Sequence, residues 1–349
     1  MNSNDVKLLP GKLPQGLLDR LLKKYTGTDK QVVVGAQTGE DAAVIDAGDH
    51  YLVIKTDPIT FVTDEIGHYV VHVNANDIVC MGGRPRWFLV TVLLPEGATV
   101  DSTTRIFKQI SAVCRRERIC YCGGHTEVTV GLDRPVVTGV MIGEVAKDRL
   151  LLKSNIQSDD HILLIKEIPI EATSIIAREK AEELAKVFSR DFVRRCQDLL
   201  FHPGISVRQG AVISLQSGIV HAFHDPTEGG VATALYELAM ACHLGFSVFF
   251  NQIPLVPEGR LLCDHYDLNP LGCISSGSLL ALVPGKSVSP MLARFHREGI
   301  VAADIGVMVN DEKEKILVVE DEEMIMPVFH QDEVIKVLSG KNNGIAYDS

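Results

Sequence analysis

The chain lacks both standard phosphate cradles: no GxxxxGK[ST] and no GxGxxG occurs anywhere in it. A nucleotide gripped by a glycine-rich loop at one helix N-terminus is therefore not expected. Its eight cysteines include no CxxC pair, which removes the thioredoxin-type redox motif and the zinc ribbon. Cys120 and Cys122 form a CxC whose alternation suits a strand. Cys114 follows Ile106, Ile110 and Val113 at helical spacing and reads as a core residue. All eight are expected to be reduced thiols, mostly used in packing. No apolar run approaches the roughly 18–20 residues of a membrane span. The start, MNSNDVKLLPGKLP, has no basic region followed by an apolar core, so no secretory signal and a cytoplasmic location are expected. Basic residues are the minority, with 34 Lys and Arg against 45 Asp and Glu and a formal net charge of −11. That balance disfavours nucleic acid, whose binding depends on phosphate neutralisation by Lys and Arg. An acidic chain can still bind a polyphosphate if metal cations stand between its carboxylates and the phosphates.

What is present is a 349-residue globular composition, long enough for two domains. Leu17, Leu18, Leu21 and Leu22 predict an amphipathic helix behind a mobile arm, LLPGKLP. Strands are expected at 32–34, 42–45, 51–56, 86–94, 119–122 and 135–145, with helices over 64–81 and 101–118, the second capped by Asp101-Ser102. Charge rises over 146–160, a domain boundary. Beyond it, strands are expected at 161–166, 219–224, 246–250, 278–283 and 315–320, with helices at 171–187, 190–200, 205–216, 231–242 and 287–298. The fold class is α/β (α+β), divided into residues 1–150, residues 155–330 and a polar tail, 331–349, disordered at least over SGKNNGIAYDS.

Five stretches place an acid beside small residues at the end of an element: GEDAA (39–43), KTDP (55–58), NAND (74–77), GGHTE (123–127) and DPTEGG (225–230). Each alone reads as a turn or a helix start. Together they read differently, because Asp41, Asp57 and Asp77 sit against apolar sequence rather than in solvated charge runs. Lys55 and Asp57 share one strand face. On the helix, His72 and Asn76 share a face at i, i+4, and so do Val73 and Asp77. Carboxylates gathered near a core repel one another unless a cation joins them, and Mg²⁺ with its oxygen ligands is the natural one. His68 and His72 have metal-ligand spacing but no third ligand, and read as a packed pair. Ser275-Ser276-Gly277 lacks the surrounding GxSxG and reads as a turn.

The ordered set GEDAA, KTD, HVNANDIVCMGGRP, CGGHTEV and HDPTEGG resembles the aminoimidazole ribonucleotide synthetase superfamily from about Gly35 to Val309. HDPTEGGVATALYELA and LNPLGCISSGSLLALV are most similar to its hydrogenase-maturation dehydratase-like members. The resemblance implies a two-domain chain that forms a homodimer, with two N-terminal sheets pairing into a barrel, and ATP bound beside it. It implies Mg²⁺ held by Asp41, Asp57 and Asp77, and Asn76 assisting beside Asp77. Gly123, Gly124, His125, Thr126 and Glu127 would line the nucleotide, the two glycines letting backbone come close to it, and Lys55 would touch its phosphates. Asp225 would approach from the second domain and Lys12 would fold over the phosphates, the two assigned to catalysis. The implied reaction is ATP-dependent phosphorylation of an oxygen of a small or carrier-bound substrate, with dehydration as one outcome.

Two departures open alternatives. His125 stands where several members have Asp. The chain ends Ala346-Tyr347-Asp348-Ser349, its last cysteine being Cys273, where the dehydratase ends in a carrier Cys. The selenophosphate route is disfavoured, since no Cys lies beside a Lys in the N-terminal arm. A small-molecule kinase of the thiamine monophosphate kinase type and a non-catalytic nucleotide-binding maturation partner stay open beside the enzyme reading.

Overall fold

The computed structural model describes Leu8, residues 11–37 and residues 39–339. The last ten residues of the expected tail, and Leu9, Pro10 and Thr38, lie outside them. In the N-terminal domain the order is α1 (Gln15–Tyr25), β1 (Val32–Val34), β2 (Ala43–Asp46), β3 (His50–Ile59), α2 (Ile66–Cys80), β4 (Arg84–Leu94), α3 (Val100–Glu117), β5 (Cys120–Val128) and β6 (Val136–Ala146). The six strands form one sheet in the order β1-β2-β3-β6-β4-β5, antiparallel except for β4 and β5. In the single chain this sheet is open, with β1 and β5 at its edges.

The second domain contains β7 (His161–Ile165), α4 (Ile170–Glu179), α5 (Ala181–Val187), α6 (Arg190–Asp198), α7 (Arg208–Ser217), β8 (Ala222–His224), α8 (Gly230–Cys242), β9 (Gly245–Phe249), α9 (Pro257–Tyr266), β10 (Leu279–Val283), α10 (Gly285–Arg297), β11 (Ala302–Val309), β12 (Lys315–Val319), β13 (Glu322–Ile325) and α11 (Ile335–Leu338). Its mixed sheet runs β13-β12-β9-β11-β7-β10-β8. The chain is thus a two-domain mixed α/β protein. No helix among the described residues is long and apolar enough to cross a membrane.

The axis of the molecule is α2. Every one of its 15 residues is buried, as befits a helix apolar on nearly all sides. It lies against the N-terminal sheet on one side and near β8 and α7 of the second domain on the other. Gly139 on β6 permits this approach, since a Cβ there would press on the Asn74 amide. Asn74 uses the closeness: its Oδ1 accepts from Asp57 N–H at 2.8 Å and its Nδ2 donates to Asp57 O at 3.2 Å. The middle of β3 is thereby fixed to α2.

Four expectations are corrected. The strand after Ile119 does not stop at Gly123-Gly124 but runs on through them to Val128. Gly124 has φ +146°, and a Cβ there would overlap the Val90 carbonyl of β4, so this glycine serves strand-to-strand contact. The helix expected over 171–187 breaks at Lys180 into α4 and α5. The cap of α3 is Thr99, in a reciprocal capping box with Ser102. Residues 331–339, expected as part of a tail, pack instead onto the second domain. Asp332 is buried, accepts from Gly229 N–H at 2.7 Å and Val334 N–H at 2.9 Å, and so caps α8 from 103 residues downstream. Burial pushes its carboxyl up to about 7. Among the cysteines, Cys120 and Cys122 are exposed rather than packed, while Cys114 is buried as expected.

Candidate active site

Where β3, α2, the end of β8 and the start of α8 meet, a polar cleft encloses about 120 Å³. It has room for several waters or hydrated cations. Asp41, Lys55, Asp57, Asp77, Asp225 and Lys12 all line it, although they come from five separate stretches of sequence. The period-two argument for β3 holds. Lys55 and Asp57 project from the same face of β3 and Asp77 meets them from α2. Lys55 Nζ lies 3.3 Å from Asp57 Oδ2 and 3.2 Å from Asp77 Oδ1.

The electrostatics are those of a cleft with too many acids. Six carboxylates line it: Glu40, Asp41, Asp57, Asp77, Asp225 and Glu237. They meet three ammonium groups, Lys12 and Lys55 in the lining and Lys153 bonded to Asp41 from behind, and the ring of His224, so acids outnumber bases six to four. Burial pushes the Asp77 carboxyl well above the usual range and outweighs the opposing pull of Lys55, with the Asp225, Asp57 and Asp41 charges adding to the rise. Burial and the Asp41 charge raise Asp225 as well. Lys55 is the converse: burial opposes its charge, but Asp77 and Asp57 hold its ammonium above the ordinary value. Among the described residues, one buried oxygen on each of Asp41, Asp77 and Asp225 has no hydrogen-bond partner, which costs free energy unless a cation fills the gap. Hard, anionic oxygens in excess of positive charge fit Mg²⁺.

One wall of the cleft went unread in the sequence. His224 sits between two carboxylates, its Nδ1 2.9 Å from Asp41 Oδ1 and its Nε2 2.9 Å from Glu237 Oε2. Lys153 Nζ lies 2.8 Å from Asp41 Oδ1 and also donates to Gly39 O. Lys12 Nζ donates to Glu237 Oε1 at 3.2 Å. Burial alone would raise Asp41 and Glu237. The Lys153 and His224 charges instead hold Asp41 far down, and Lys12 with His224 holds Glu237 at about 2. A legible signal existed. Glu237 is the single charge in VATALYELAMAC, and an acid alone in an apolar helix needs a partner.

Two groups of expected site residues are placed elsewhere. Asn76 shares α2 with Asp77 but faces the second domain, where its Nδ2 donates to Ile205 O at 2.8 Å and its Oδ1 accepts from Val207 N–H at 3.0 Å. Both ends of its amide are engaged in joining the domains. The same loop is held from the other side by Lys166, whose ammonium donates to Gly204 O and Ser206 O, each at 2.8 Å. Gly123, Gly124, His125, Thr126 and Glu127 lie on the edge strand β5, exposed and outside the cleft of their own chain. The register places Gly124 in one row with Val90, Gly139 and Asp57, so it is three strand spacings, roughly 14 Å, from Asp57. His125 Nε2 and Glu127 Oε2 pair with each other at 3.0 Å. His68 and His72 form a buried packed pair, ring centroids 4.5 Å apart.

The family model for the AIR synthase related protein N-terminal domain matches residues 39–145, and that for the C-terminal domain matches residues 157–319. The chain belongs to the AIR synthase related family. It is 26% identical over 317 residues to a putative hydrogenase expression/formation protein of Methanocaldococcus jannaschii, covering 88% of this chain and 91% of that one. It is 26% identical over 288 residues to the carbamoyl dehydratase HypE of Rhizobium leguminosarum bv. viciae, covering 79% of each. The crystal structure of hydrogenase maturation protein HypE in complex with ATP superimposes with a TM-score of 0.69 at 22% identity, covering 90% of this chain and 91% of that one. All five motif stretches fall inside the two matched domains, and the cleft lies where those domains meet.

Proposed function

We propose that this chain is an ATP- and Mg²⁺-dependent enzyme that phosphorylates an oxygen of a small or carrier-bound substrate, in the manner of the hydrogenase-maturation dehydratases. The observation that carries the reading is the cleft itself: acids from both domains converge there with unpartnered oxygens and surplus negative charge. Phosphoryl transfer asks a protein mainly for positioning and for positive charge against the phosphates. Asp41, Asp57, Asp77 and Asp225 would hold Mg²⁺, which when bound shields the phosphate charge. Lys55 and Lys12 add two ammonium groups at the same cleft. The clamp on Asn76 and the cap on α8 keep Asp77 and Asp225, from different domains, at a fixed separation. The relatives support the reading through a carbamoyl dehydratase and an ATP complex among them.

Titrating Mg·ATP against a thermal melt is expected to raise stability by about 2.7 kcal/mol at 100 times Kd. No shift with ATP, ADP or another nucleotide sinks the proposal. Turnover giving ADP and free phosphate points to dehydration, and a phosphorylated product to a kinase.

We also infer a homodimer in which residues Gly123–Glu127 of one copy reach the cleft of the other. Strand β5 offers a long exposed edge, the kind of edge that pairs with another chain. While α2 covers one face of the N-terminal sheet, the opposite face carries Ile54, Trp87, Leu89, Leu93, Val140 and Ile142, apolar side chains left only half-buried. Leu89→Lys is expected to turn a dimer into a monomer in sedimentation and to lose ATP turnover with it. A wild-type chain that sediments as a monomer at micromolar concentration overturns the inference.

A further inference from the structure

We propose that the uncovered half of the second domain's sheet is a docking surface for a basic amphipathic helix of another protein. One face of this sheet is covered over β8, β10 and β7. There Phe223, Ala281 and Leu163 share a hydrophobic core with Ala211 of α7 and with Met291 and Phe295 of α10. The same face continues across β11, β9, β12 and β13. A single cross-strand row shows it, running from Val283 through His161, Val307, Ser247 and Ile316 to Ile325. Residues directly opposite in neighbouring strands share a face. The row therefore begins in the covered core at Val283, which is fully buried, and ends at Ile325, which is 76% exposed.

Alternation along the strands gives the rest of the surface. Phe246, Val248, Met308 and Leu317 point to the other side, into a core. Val309, Phe249 and Val318 consequently join Val307, Ile316 and Ile325 on the bare side. Phe249 is 39% exposed, and the two β11 valines, Ile316 and Val318 are half-buried. Among the described residues none of these six belongs to a hydrophobic core. A contiguous apolar face left open in this way marks an interaction site.

Two observations select the occupant. The layer that already lies on this sheet is helical, and the four bare strands span about 14 Å, close to the length of three helical turns. The charge beside the face is negative. The turns on either side of β12 carry Asp311, Glu312, Glu314, Glu320 and Asp321 against one lysine, Lys313, and Glu323 stands on the face itself. Leucines laid on the strands, with lysines or arginines reaching these acids, complement both properties. The proposal is independent of the ATP reading.

The test uses the full chain and a labelled synthetic peptide of about four helical turns, with leucines on one face and lysines on the other. Fluorescence anisotropy is expected to show saturable binding that weakens as salt rises. Ile325→Lys, at an exposed edge position, is expected to weaken it about tenfold. Glu323→Lys is expected to act in the same direction. Leu89→Lys, which alters the bare face of the N-terminal sheet, is expected to leave binding unchanged. The same peptide with glutamate in place of lysine is expected not to bind. No binding, or equal binding to wild type and Ile325→Lys, overturns the proposal. So does a fall in sedimenting mass on Ile325→Lys, which would make the occupant a second copy. A carbodiimide cross-link between Lys341 and Glu323 of one free chain overturns it in favour of the chain's own C-terminal residues.

Discussion

Asp77→Asn is expected to lower Mg²⁺-dependent ATP turnover by about 10³-fold, near 4 kcal/mol of transition-state stabilisation, without lowering the melting temperature of the metal-free protein. The two halves of this expectation have one cause. Asp77 is buried, as is every residue of its helix, and burial together with the Asp225, Asp57 and Asp41 charges disfavours its ionised form. In the absence of a cation the charge is a burden on the fold, relieved only in part by Lys55 at 3.2 Å. An amide of the same shape removes that burden, and Lys55 keeps Asp57. With Mg·ATP present the same charge would hold the metal, and an amide replaces it poorly. Steady-state turnover and a metal-free melt check both halves. A melting temperature that falls with turnover would make Asp77 a structural residue and remove it from the site.

Asn76→Ala is expected to act on stability first. The side chain satisfies a buried carbonyl at Ile205 and a buried N–H at Val207, and alanine leaves both without a partner. Each such group costs about 1–3 kcal/mol, so a loss near 3 kcal/mol is expected, or roughly 4 °C in the melt of the metal-free protein. A shift below about 2 °C would show that the joint between the domains does not depend on this amide. Adjacent residues of one helix thus divide two tasks: Asp77 faces the cleft at a standing electrostatic cost, and Asn76 faces the second domain and holds the frame.

This division explains what the sequence could and could not disclose. The acids were legible because a carboxylate in apolar surroundings is anomalous on its own terms, and Asp41, Asp57, Asp77 and Asp225 do share one cleft. The period-two rule then gave the shared face of Lys55 and Asp57. The role of Asn76 was hidden because its partners lie 129 and 131 residues away, and spacing along one helix carries no information about them. Lys153 was hidden for a similar reason: in a charged connector it reads as solvated, yet it is almost fully buried against Asp41. The glycines at 123 and 124 mark a turn as readily as a close strand contact, and only the register with β4 separates the two readings. Much of the fold was readable because its strands and helices have clear periods. The strand over 302–309 and the helix over 257–266 were the main omissions, the strand's apolar residues being interrupted by Asp304 and Gly306.

The cap that Asp332 places on α8 bears on time as well as geometry. Gly229 and Asp332 are 103 residues apart, so at about 5–20 residues per second the ribosome needs roughly 5–20 s to supply the second after the first. For that interval the loop bearing Asp225 exists without the carboxylate that orders the start of its helix. Both sheets can form before the cleft is finished, and the binding site is among the last parts of the molecule to be completed during synthesis.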